Sequence, residues 1–272
     1  MIGRRPLLAL AGFSALPVRA SCKRPLIAGV SPLGYAVFEA EGALRGFAVD
    51  IVRRVGQGVN CKIALSLRPR ARVMLDFQRG ELDLVTSSLR NPERDLVGDF
   101  EPYAYSGYEL IVHPSIAERL QRIGEVEAMT RISLGLVRGV QLPGPVGPLV
   151  ERLAVARRIE WAVDFQNLAA RMAAGRVLVG VFPTAIHTKL LQDGELPANL
   201  IVRPLPESPP QPVGMYLNRQ RLTVAQRERL RTALRRLVHS GEVQRIYTRY
   251  LGAEATQRMF EAGRYAAGGL RV

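Results

Sequence analysis

Only three histidines (His113, His187, His239) and two cysteines (Cys22, Cys61) occur among the 272 residues. No histidine stands at turn or helix spacing from a second ligand, so the compact metal motifs are excluded and no metal site is expected. Aromatic residues make up 6% of the chain, too thin a supply for a base-stacking surface. No apolar run approaches the roughly 20 residues that a membrane-spanning helix needs. A Gly-x-Ser-x-Gly elbow and a phosphate-binding glycine loop are both missing, and no cofactor is expected.

What is present is ordinary globular composition, 47% hydrophobic and 23% charged, so a folded chain is expected. The formal net charge of +14 comes almost wholly from arginine. Many of these arginines (Arg53, Arg54, Arg152, Arg227, Arg231, Arg235) fall on candidate helices and form no single block. They read as solvated faces, and no nucleic-acid partner is expected.

The N-terminus has the order of a secretory signal: Arg4 and Arg5, the apolar run from Leu7 to Leu16, then Val18-Arg19-Ala20 with small residues at the minus-three and minus-one places before a cleavage point after about Ala20. Residues 1–20 are therefore expected to be removed on export to the periplasm. An even cysteine count in an exported chain favours a disulfide between Cys22 and Cys61 over two buried thiols, although the count leaves both open.

Beyond the signal, short apolar runs alternate with helical periodicity, the pattern of an α/β protein. Strands are expected at 25–30, 61–67, 83–88 and 109–113, with helices at 46–56 and 69–80. The pattern restarts with strands at 133–137, 177–182 and 200–203 and helices at 146–158, 165–175 and 185–192. A proline-rich connection at 204–212 leads to a strand at 213–217, helices at 224–238 and 242–251, and a weaker helical tail.

Four stretches together resemble the bacterial extracellular solute-binding proteins of family 3, the polar amino acid binding type. They are Gly46-Phe47-Ala48-Val49-Asp50-Ile51; Pro69-x-Ala71-Arg72 with Gly80-Glu81-Leu82-Asp83-Leu84; Asn91-Pro92-Glu93-Arg94 with Asp99-Phe100-Glu101-Pro102-Tyr103; and the segment from Gly241 to Gly252. The cysteine placement is similar to that of a divergent branch of the family. The resemblance implies a type II periplasmic-binding-protein fold: lobe one from 21–108 and 212–272, lobe two from 109–211, and a ligand cleft between them. It further implies a monomer that closes on a small solute and delivers it to an inner-membrane ABC permease. A sensor or orphan binding module would use the same clamp. An enzyme evolved on this fold would need a cleft acid or base, for which Glu39, Glu93 and Glu101 are the candidates; no catalytic role is expected.

By the same resemblance Arg94 is the ligand's carboxylate anchor, since a planar guanidinium fork matches a carboxylate. Ser87, Ser88, Tyr35 and Arg72 are the other candidate contacts from lobe one, while Arg70 is assigned to a solvated face. Lobe two offers Gly139, Val140, Gln141 and Thr184. It lacks, at Arg138-Gly139-Val140-Gln141 and Val181-Phe182-Pro183-Thr184, the hydroxyl and carboxylate with which the family receives an amino acid. The expected ligand is a small polar, carboxylate-bearing solute, either an organic anion such as a dicarboxylate or an amino-acid-like molecule, and a ligand read by Gln141 and Thr184 stays open as well.

Overall fold

The apolar runs pair into two five-stranded sheets, and the chain passes between them twice. A computed structural model of the protein describes residues 22–138, 140, 142 and 144–266, with side chains as far as residue 261. The expected signal segment and its cleavage point, Gly139 and Gln141 all lie outside the described residues.

In chain order the strands are β1 Leu26–Val30, β2 Phe38–Ala40, β3 Ala43–Arg45, β4 Ile63–Leu67, β5 Leu84–Leu89, β6 Gly98–Ser106, β7 Tyr108–Val112, β8 Leu134–Val137, β9 Ile159–Ala162, β10 Val179–Pro183, β11 Ile201–Pro204 and β12 Gln211–Asn218. The α-helices are α1 Phe47–Gly58, α2 Arg70–Gln78, α3 Pro92–Asp95, α4 Pro114–Ala117, α5 Val146–Val155, α6 Phe165–Ala173, α7 Thr184–Gln192, α8 Val224–His239, α9 Glu242–Leu251 and α10 Ala253–Ala266.

The first sheet has the order β4-β1-β5-β12-β6. Its β1 lies parallel to β4 and β5, as strand–helix–strand crossovers require, while β12 enters antiparallel to β5 and β6. The second sheet runs β11-β7-β10-β8-β9 and is likewise mixed. One residue, Gly107, separates β6 of the first sheet from β7 of the second, and residues 205–210 carry the chain back from β11 to β12. This α/β arrangement of two lobes with a double crossing is the type II periplasmic-binding fold.

Helical periodicity places Phe47, Ile51, Val52 and Val55 on one face of α1, where all are buried in the first lobe's core with Leu26, Leu84, Met215 and Leu230. Separate clusters fill the two faces of the second sheet, one around Leu110 and Leu136, the other around Leu168 and Phe182. A capping box between Thr223 and Gln226 starts α8. The described tail is a full helix, α10, and Arg258 on it reaches Glu109 of β7, which also bonds buried His187 of α7.

Several elements escaped the sequence pattern, among them the short helix α4. Strand β6 carries Asp99, Glu101 and Pro102, which mask its alternation; the charges are neutralised from α8, with Glu101 taking Arg231 at 3.1 Å and Arg235 at 2.6 Å, and Asp99 taking Arg227 at 2.7 Å. The helix expected at 146–158 stops at Val155 because Arg157 turns into the left-handed region at φ 56°, freeing 159–162 to form edge strand β9. The β2–β3 hairpin is too short to show periodicity.

Cys22 is bonded to Cys61 across a separation of 39 residues, with Cα atoms 5.3 Å apart. On the chain-entropy model this loop contributes about 3–4 kcal/mol. Urea unfolding with and without reductant should show the midpoint falling correspondingly on reduction, with both forms still able to fold.

Stability also depends on acid. Burial alone would raise the Asp83 carboxyl, but the Arg24 hydrogen bond, the Ile27 N–H, the Arg24 charge and Arg221 outweigh it and hold it below the usual range. Asp99, opposed by burial but held by Arg219 and Arg227, shifts the same way. A depressed carboxyl contributes stability that is complete above its unfolded value, near about 4, and is lost as pH falls through the folded value. Thermal midpoints are expected to be flat above about pH 5 and to drop steeply below about pH 4; Asp83→Asn should flatten that acid limb.

Candidate functional site

Where β1, β5, the hinge and α7 meet, a cavity of about 220 Å³ opens between the lobes. Ser87 and Leu89 at the end of β5, with Arg70 at the start of α2, form one side. The hinge residues Tyr105 to Tyr108 form the back, and Pro183, Ala185 and Ile186, where β10 turns into α7, form the lobe-two side. Tyr247 of α9 and Met259 of α10 close it from the C-terminal helices.

Ser87 holds φ 51°, a left-handed conformation that costs a β-carbon-bearing residue about 1–3 kcal/mol. Its N–H donates to the Tyr103 hydroxyl oxygen at 3.1 Å, and its carbonyl accepts from Arg70 Nη2 at 3.1 Å. Burial pushes the Arg70 guanidinium down to about 10, and the charge of neighbouring Arg94 adds to the fall. Among the described residues no carboxylate stands within ion-pair distance of Arg70. A desolvated cation answered only by a carbonyl favours any anion that enters the cavity.

The other candidates are placed differently. Arg94 is set by the Asn91 cap, which accepts from the Glu93 and Arg94 N–H groups. Its Nη2 donates to Leu89 O at 2.8 Å, Nη1 stands 3.3 Å from Met74 Sδ, and the guanidinium lies 5.4 Å from the Tyr216 ring centroid. It is not part of the cavity wall, and its buried Nε has no hydrogen-bond partner. Arg72 is half-exposed and pairs at 2.7 Å with the fully buried Asp76, which Arg68 also bonds. Ser88 alternates away from Ser87 and is fully buried.

Tyr35 bridges the lobes: its N–H donates to Ala185 O at 3.0 Å, and its hydroxyl donates to the Gln192 side chain. The Lys189 ammonium lies over the rings of Tyr35 and Phe38, at 5.6 and 4.7 Å. Thr184 spends its N–H, at 3.2 Å, and its hydroxyl, at 3.5 Å, on Gly107 O at the hinge. Val140 packs against the core cluster around Leu168. Thus Ser87 is the one sequence candidate that the described structure brings to the cavity wall. Arg70, Tyr108, Tyr247 and Met259 were missed. The signal for Arg70 was Pro69, which sets it in the first helical turn directly after a strand end.

Of the carboxylates considered for catalysis, Glu101 is taken up by Arg231 and Arg235, and neither Glu39 nor Glu93 lines this cavity. An adjoining outer chamber of about 600 Å³ shares Pro32, Leu33 and Ile186 with it and carries the exposed acids Glu39, Asp164, Asp193 and Glu195.

Comparison with known proteins agrees with this architecture. The family model described as bacterial extracellular solute-binding proteins, family 3, matches residues 27–253. No curated protein matches the chain. Among solved structures, the GluR0 ligand-binding core in complex with L-glutamate aligns with a TM-score of 0.65 at 18% identity, over 85% of this chain and 100% of its own. The arginine-, lysine-, histidine-binding protein ArtJ from the thermophilic bacterium Geobacillus stearothermophilus aligns with a TM-score of 0.64 at 17% identity, over 85% and 96%. A structure from the glutathione import system of Streptococcus mutans, described with GshT and the cystine ABC importer TcyBC, gives 0.65 at 15%, over 85% and 95%. At these identities the likeness is one of fold, and the assignment rests on the family model together with the two-lobed architecture. The chain belongs to the bacterial extracellular solute-binding proteins of family 3.

Proposed function

We propose that this protein binds a small carboxylate-bearing solute in the periplasm, by closure of lobe one (21–108 and 212–272) on lobe two (109–211), for delivery to an inner-membrane ABC permease. The observation that carries the reading is Arg70, a desolvated guanidinium on the wall of an interlobe cavity with no carboxylate beside it among the described residues. A bound carboxylate would accept the charge-assisted hydrogen bonds that Ser87 O satisfies only in part, and Arg94 behind it adds to the positive field. Binding favours closure because the solute touches both lobes at once. The Tyr35–Ala185 and Tyr35–Gln192 contacts hold the closed form from outside the cavity.

A thermal-shift screen of carboxylates tests this. A binder at a hundred times its Kd stabilises the fold by about 2.7 kcal/mol, which raises the midpoint by several degrees. Arg70→Gln is expected to abolish the shift and leave the unliganded midpoint within a few degrees of the parent. Retention of the shift in that variant would transfer the anchor role away from Arg70.

A further inference from the structure

The chemistry of the cavity wall says more than that an anion enters. We infer that the solute is a monocarboxylate with an apolar body and no α-ammonium group, its carboxylate on Arg70 and its carbon skeleton against Leu33, Phe47, Ile186, Tyr247 and Met259. This deepens the reading of the cleft as a carboxylate site and rests on it.

Three observations carry the inference. First, the wall is largely apolar: Leu33 and Ile186 come from opposite lobes, while Phe47, Tyr247 and Met259 come from the helices behind β1 and β6. Second, among the described residues no Asp or Glu lines the cavity. An α-ammonium held next to a carboxylate on Arg70 would be desolvated without an anionic partner, and in that position it would also be repelled by the guanidinium. The acids of the adjoining chamber do not remove this cost. Glu39, Asp164, Asp193 and Glu195 are exposed to solvent, Asp193 is paired with Lys189 at 2.6 Å, and Asp164 accepts the Asn167 N–H at the start of α6. Third, the size fits. An apolar cavity of about 150 Å³ accepts a benzene ring. The 220 Å³ here leaves room for a ring or branched chain of that order with a carboxylate attached.

The remaining polar groups suit an acceptor better than a donor. Tyr108 stands at the hinge, and burial raises its pKa, so its phenol stays protonated and can donate to a carboxylate oxygen. Ser106 lies beside it. Ser87 O, which accepts from Arg70, orients the fork.

The test is calorimetric titration of the full chain with matched pairs that differ only in the ammonium: 3-phenylpropionate against L-phenylalanine, and 4-methylpentanoate against L-leucine, with L-arginine, L-glutamate and 3-phenylpropanamide alongside. The expected result is that at least one des-amino acid binds at least about tenfold more tightly than its amino partner and than the amide, with a negative heat-capacity change from apolar burial. Arg70→Met, which keeps the stem and removes the charge, should weaken that binding by about thirtyfold or more, and Arg70→Lys should recover part of it. Near-ultraviolet circular dichroism confirms that each variant is folded.

If an amino acid binds as tightly as its des-amino partner, or L-arginine or L-glutamate binds more tightly than both, the inference is overturned while the carboxylate reading stands. If the amide binds as well as the acid, or Arg70→Met binds unchanged, the carboxylate reading falls and takes the inference with it. Failure of every compound in the panel to bind counts against both.

Discussion

Asp83→Ala is expected to cost about 3–5 kcal/mol of unfolding free energy. The Asp83 carboxylate is fully buried and accepts from Arg24 at 2.7 and 2.5 Å, from the Ile27 N–H at 2.7 Å and from Arg221 at 3.2 Å. It joins β1, the entry to β5 and the loop after β12, three segments far apart in sequence. Removing it leaves a buried N–H and two guanidinium groups without their acceptor, which is far costlier than losing an exposed pair. Glu254→Ala makes the comparison: Glu254 also bonds an arginine, Arg258 at 2.6 Å, but is almost fully exposed, so the change should stay within about 0.5 kcal/mol. Differential scanning calorimetry should place the Asp83→Ala midpoint roughly 10 °C below the parent and the Glu254→Ala midpoint beside it. Equal small shifts would show that the Asp83 cluster is dispensable.

The second large effect is on function. Gly34 sits at φ 50° in the loop after β1, and a Cβ there would stand 2.4 Å from Ala185 O and 2.7 Å from Ile186 Cα. Both obstructing atoms are backbone of the opposite lobe, so no rotamer change relieves them. Gly34→Ala is therefore expected to hold the lobes apart. It would also disturb the adjacent Tyr35 N–H bond to Ala185 O, and it places alanine where left-handed backbone disfavours it by about 1 kcal/mol. Apparent affinity scales with the population able to close. A loss of about thirtyfold or more is expected for any carboxylate that the parent binds, with a modest effect on the unliganded midpoint. Small-angle scattering should show the parent compacting on ligand addition and the variant remaining extended; a variant that compacts normally would remove Gly34 from the closure argument.

These two sites differ in how far they can be read from sequence. Asp83 lies in the Gly-Glu-Leu-Asp-Leu stretch that carries part of the family resemblance, yet its partners Arg24 and Arg221 come from distant segments without a motif of their own. The longer helices and most inner strands of both lobes followed from apolar periodicity because each buries one face against its own lobe. Strand β6 did not, since its charges are neutralised by α8, a contact that no local pattern records. The chain's tail read as weak helix, and only its packing against β6 and β12 brings Met259 to the cavity.

Sequence by itself determined the α/β alternation, the ordered family motifs and the candidate cysteine pair, because these depend on spacing along the chain. Tertiary structure decided which arginine meets the cavity. Arg70 and Arg72 stand two residues apart on α2 and therefore point to different sides, one towards Ser87 and the other towards Asp76. Arg94 turns to Leu89 O and the Tyr216 ring. Residue type and helical period specify a direction relative to the element's own axis. The identity of what lies in that direction, a carbonyl, a carboxylate or open space between two lobes, is set only when the sheets and helices pack.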